Sequence, residues 1–69
     1  MMRPPAPPKA RNARVARQNG YAARVAGFQR NENPHSARED CMLFAAWNDG
    51  WDQRAREEKA AWPAPEPAP

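Results

Sequence analysis

Five arginines and one tyrosine carry most of the chemistry this sequence offers. Arg11, Arg14, Arg17, Arg24 and Arg30 lie in a front segment, Met1 to Arg30, that contains no acid. Arg3 and Lys9 add to its positive charge. A guanidinium is a rigid fork of donors that matches phosphate oxygens two at a time. Each neutralised phosphate releases counterions, so an acid-free basic segment points to a nucleic-acid partner. Tyr21 stands among the arginines and offers a ring for an unpaired base. The candidate RNA-binding set is therefore Arg11, Arg14, Arg17, Tyr21, Arg24 and Arg30. The bland alternative is a solvated arginine-rich helix with no partner.

Other chemistries find little support. One cysteine, Cys41, and one histidine, His35, are too few soft ligands for a metal site. Cys41 cannot bridge internally, and the plain reading is a small hydrophobe buried on an apolar face. His35 follows Asn33-Pro34 and reads as a turn residue, with no partner for acid–base work. Asp49 and Asp52, three apart on one helix edge, read as a solvated face. No glycine-rich phosphate loop is present. The expectation is a protein without metal, cofactor or enzymatic activity.

The chain has 69 residues and a formal net charge of +3. That length allows one small domain of modest core. Its charge is uneven: from Asn31 on, Arg38, Arg54, Arg56 and Lys59 face Glu32, Glu39, Asp40, Asp49, Asp52, Glu57, Glu58 and Glu66. No apolar run is long enough for a membrane span, and the N-terminus lacks the apolar segment of a signal peptide. A cytoplasmic location is expected.

Two helices must position these residues. Residues 1–8 form a proline-rich arm, expected to be disordered. A first helix is expected over about 9–27. Its small residues Ala16, Gly20, Ala23 and Gly27 share one face, and Gly27 serves as a left-handed C-cap. Gly20 costs about 1 kcal/mol in a helix interior, so close approach of another helix or a large ring must compensate. A connector spans 28–35. The second helix, about 36–60, is announced by the capping box Ser36-Ala37-Arg38-Glu39. Gly50 is its one blemish, and its charged last turns read as a solvated face. Phe44, Trp47 and Trp51 recur at helical spacing, with Cys41 above them. This aromatic stripe is expected to pack on the small stripe of the first helix. Residues 61–69 form a second disordered proline-rich arm. The fold class is all-α, a two-helix antiparallel hairpin.

Gly20-Tyr21, Ala23, Ala26-Gly27, Asn33-Pro34, Trp47 and Gly50-Trp51, in this order, resemble the ribosome modulation factor family. The likeness covers about Arg14 to Glu58. It implies a helix–connector–helix fold with Gly20, Tyr21, Gly27, Pro34, Trp47, Gly50 and Trp51 as a largely structural signature. It further implies stationary-phase ribosome hibernation in bacteria. Such a protein binds ribosomal RNA of the 30S subunit, beside ribosomal proteins, blocks messenger docking and promotes ribosome pairing. RNA contact would then fall to the arginines named above. Broader relatives include one described as phosphorylating a fluoroquinolone, so a small nucleotide-dependent antibiotic-modifying enzyme is an alternative. A protein-binding helical adaptor is another. Whether the chain self-associates is left open by its sequence.

Overall fold

The structure, a computed structural model, describes residues 6–61. Helix α1 spans Ala13–Ala26, a 3-10 turn spans Arg30–Glu32, and helix α2 spans Cys41–Ala61. The fold is the expected all-α, two-helix hairpin, with extensive contact between α1 and α2. Residues 1–5 and 62–69, which hold most of the two expected arms, lie outside the described residues.

The helix ends differ from the sequence expectation, for local reasons. α1 starts at Ala13 rather than near residue 9. Asn12 is extended there, and its Oδ1 accepts from the Val15 amide at 2.9 Å. An asparagine cap satisfies an orphan donor and so fixes the start. At the far end Gly27 is left-handed, with φ 95°. The Gly27 amide donates to the Arg24 carbonyl and the Phe28 amide to the Ala23 carbonyl. This is the Schellman closure, and it folds Phe28 back beside Ala23. Phe28, read as connector, is thereby a core residue, as buried as Ala23.

α2 starts at Cys41 rather than near residue 36. Ser36 does cap, its Oγ accepting from the amides of Arg38 and Glu39, but it caps an isolated turn. That turn closes with the Asp40 amide donating to the Ser36 carbonyl. Asp40 then gives α2 its first carbonyl, accepting from Phe44 at 2.8 Å. Ala61 belongs to α2, one residue past the expected end.

The helices cross at two glycines. A Cβ built on Gly20 would lie 1.9 Å from the Trp47 carbonyl oxygen. One built on Gly50 would lie 1.9 Å from the Arg17 carbonyl oxygen. The backbones thus touch reciprocally, each glycine against a carbonyl three residues before the other. Gly50 is no blemish but half of the crossing. Contacts of this kind allow Cα–H to carbonyl interactions that only glycine leaves room for.

The crossing rotates the buried face of α2. Ala46, Trp47, Asn48 and Gly50 are buried, and Leu43 packs against the core. Phe44 and Trp51 are half-buried flanks, and Cys41 is exposed. The expectations of a buried Cys41 and of a stripe centred on Phe44, Trp47 and Trp51 are corrected accordingly. The glycine edge must face α1, so large rings are displaced to either side. On α1, Ala16, Gly20 and Ala23 are buried as expected, whereas Gly27 is exposed. Trp47 is fully buried, and its indole N–H meets no acceptor.

A polar network fixes the connector, which doubles back along α2. Trp51 Nε1 donates to the Phe28 carbonyl at 2.9 Å. Asn33 Nδ2 donates to the Phe44 carbonyl and to Asn48 Oδ1. His35 is buried, and its Nε2 accepts from the Ala10 amide. It is more than a turn residue: it pins the segment before α1. Because the connector runs this way, the last turn of α1 reaches the last turns of α2, and Arg24 meets Glu58.

The glycine crossing yields a ranked prediction. Gly20→Ala or Gly50→Ala gains about 1 kcal/mol of helix propensity and loses about 2–3 kcal/mol or more to overpacking. Gly27 has open space around it but a positive φ; alanine there costs about 1 kcal/mol. Melting followed by far-UV circular dichroism should fall by roughly 5–15 °C for either crossing variant. A rise in Tm for Gly20→Ala would contradict the backbone contact.

Candidate nucleic-acid interface

The structure separates the six candidate residues into two groups. Arg11, Arg14 and Arg17 are exposed at the start of α1. Among the described residues no carboxylate pairs with any of them. Arg11 sits just before the Asn12 cap. Arg14 and Arg17 lie three apart, so they project from one side of the first turns. The Arg17 carbonyl faces inward to Gly50 while its side chain faces out.

Tyr21, Arg24 and Arg30 are instead tied to α2. The Tyr21 hydroxyl donates to the Glu57 carboxylate, and the Arg54 guanidinium stands over the Tyr21 ring at 5.6 Å. Arg24 Nε and Nη2 both donate to Glu58 Oε1, at 3.1 and 2.8 Å. Arg24 also lies over the Trp51 ring, 4.8 Å from its centroid. Arg30 grips Asp52 with two bonds, at 2.8 and 3.0 Å. Arg54 completes the cluster through Glu58 Oε2 at 3.0 Å. The last turns of α2 are therefore not a merely solvated face, as their composition implied. Asp52 and Glu58 serve as counter-ions to Arg30 and Arg24, and Glu57 accepts from Tyr21.

These bonds lower the carboxyls and raise the guanidinium groups. The hydrogen bond from Arg30 holds the Asp52 carboxyl below its ordinary range. Glu58 is lowered by hydrogen bonds from Arg24 and then Arg54, and Glu57 by the Tyr21 hydroxyl and then Gln53. Arg30 is raised by its bond to Asp52, and Arg54 by Tyr21 and then Glu58. All these side chains remain partly open to water, so each pair contributes little by itself.

Sequence reasoning missed the residues that shape this surface from behind. Asn33, Asn48 and His35 hold the connector, and Phe28 anchors it. The signal for Phe28 was present: an apolar residue directly after a C-capping glycine often turns onto the helix. Asn48 beside Trp47 falls on the same buried arc and needed a polar partner. The described residues contain no group of three His, Cys, Asp or Glu able to hold a metal. No described helix is long and apolar enough to cross a membrane.

The lowered carboxyls set the sign of a pH effect. Their folded values lie below the ordinary ones, so their contribution is complete above the carboxylate range. It is lost as pH falls through the folded values. Tm should decline on acidification from about pH 5 to pH 3, and Asp52→Asn with Glu58→Gln should flatten that decline. Parallel curves for the parent and the double variant would show that these pairs do not matter to folding.

No family model, curated protein or solved structure matches this chain.

Proposed function

We propose that this chain is a ribosome modulation factor-like protein that binds small-subunit ribosomal RNA and silences translation, as in ribosome hibernation. The observation that carries the reading is the row of exposed arginines, Arg11, Arg14 and Arg17, without carboxylate partners among the described residues. An unpaired guanidinium in water gains most from a polyanion, since no internal pair must be broken first. The sequence resemblance supports the choice of ribosomal RNA over other polyanions. In this reading the glycine crossing holds a stiff helix, and the arginines grip phosphates along one groove edge. Phosphate contacts set position and orientation on the RNA. Messenger docking is blocked by occupancy, with no chemical step.

Co-sedimentation with small ribosomal subunits at low salt tests this. The parent protein should travel with the particles and be released as salt rises. A triple Arg11→Glu, Arg14→Glu, Arg17→Glu variant should stay at the top of the gradient. Single Arg→Gln variants should reduce the slope of log affinity against log salt by about 0.7–0.9 each. None of the three side chains is buried, so circular dichroism should show the variants folded. Undiminished sedimentation of the folded triple variant would end this reading.

A further inference from the structure

A cleft of about 530 Å³ opens where α1 hands over to the connector. Its walls include Arg24, Gly27, Gln29, Arg30, Asn31 and Trp51. The cleft is open to solvent along one side. Arg24 and Arg30 both line the cleft, while their carboxylate partners, Glu58 and Asp52, do not. The acids therefore stand behind the arginines and hold them in place. Arg24 is stacked on Trp51, and its side chain is still 36 % exposed. Arg30 is 53 % exposed. Asn31 is exposed at the rim, and the neighbouring Gln29 is tied through its backbone, its amide donating to the Glu32 carboxylate at 2.7 Å.

We propose that this cleft receives one unpaired ribonucleotide, its base stacked on the Arg24–Trp51 pair, its phosphate on Arg30 and its base edge on Asn31. Planar guanidinium groups stack on bases as aromatic rings do, and single-stranded RNA is read in this way. A prestacked Arg24 has already lost most of its rotamer freedom, so stacking a base on it costs little further ordering. The Asn31 amide carries donor and acceptor side by side, which suits a base edge. Arg30 keeps donors beyond the two that Asp52 occupies. The proposal rests on the RNA-binding reading but uses a different part of the surface. Arg11, Arg14 and Arg17 contact backbone anywhere, whereas the cleft selects for a base that is not paired.

Fluorescence anisotropy with the full chain and three probes tests this: a labelled single-stranded oligoribonucleotide, a fully paired RNA duplex of equal charge, and labelled AMP. The single strand should bind roughly tenfold tighter than the duplex, in line with the gain from one stacked base. Asn31→Ala, at an exposed position, should cut single-strand affinity several-fold and leave duplex affinity unchanged, whereas Arg30→Gln should lower single-strand affinity by a larger factor than duplex affinity. Arg24→Lys keeps a positive charge beside Glu58 but loses the plane, and it should remove most of the single-strand preference. Equal binding of single strand and duplex overturns the cleft while leaving the ribosome reading standing. So do variants without effect on the single strand. Binding of AMP, lost in Arg24→Lys, with no binding of either RNA keeps the cleft as a free-nucleotide site and removes the ribosome reading. Absence of binding to all three probes overturns the cleft.

Discussion

Two carbonyl oxygens, those of Arg17 and Trp47, decide how this small protein is built. Each lies where any side chain larger than hydrogen on the opposite helix would collide. With little core available, the chain gains contact by bringing backbones together rather than by adding bulk. Gly20 and Gly50 each weaken their own helix, and the loss is offset only if both meet. The buried arc of α2 follows, because Gly50 must face α1. Trp47 then points into the core, and Trp51 is placed against the end of α1. The connector closes onto that arrangement through Asn33, Asn48 and His35, in positions where Asn33 Nδ2, Asn48 Oδ1 and His35 Nε2 each find a partner.

The same crossing sorts the charges. The last turn of α1 comes beside the last turns of α2, where Asp52, Glu57 and Glu58 wait. Arg24, Arg30 and Tyr21 are drawn into that set. Arg11, Arg14 and Arg17 lie before the crossing or at it, out of reach of those acids. A segment that is uniformly basic in sequence thereby becomes two surfaces. One is free to meet phosphate without rearrangement, and one is held rigid by its own counter-ions. Net charge hides this difference.

Much of the fold was legible in the residues. The small stripe of Ala16, Gly20 and Ala23 marks a contact face, and Gly27 marks the end of α1 with the φ that glycine allows. The helix starts were less legible, since Asn12 rather than the end of the proline-rich arm caps α1, and Asp40 rather than Ser36 gives α2 its first carbonyl. Serine at 36 does accept the expected amides, yet the turn it opens stops at Asp40. Propensity cannot tell a one-turn cap from a helix start. Cys41 and Phe44 share helical spacing with Trp47, but spacing fixes a face only up to a rotation. The rotation was set by Gly50, whose role depends on a partner carbonyl distant in sequence. For the site, the basic residues were visible one by one. Their division was not, because it depends on which acids the fold brings near.

That division bears on how Trp47, Gly50 and Trp51 work together. Trp47 gives its carbonyl to Gly20, Gly50 takes the carbonyl of Arg17, and Trp51 turns its indole N–H to the Phe28 carbonyl. These three contacts tie α2 in turn to the middle of α1, to its first half and to the start of the connector. None of them touches solvent chemistry directly. Each nevertheless places an arginine: Arg17 outward at the crossing, Arg24 on the Trp51 ring, and Arg30 at the turn after Phe28. The pattern is a scaffold whose product is the spacing of guanidinium groups. A chain could keep the scaffold and change its charged surface by changing only the arginines.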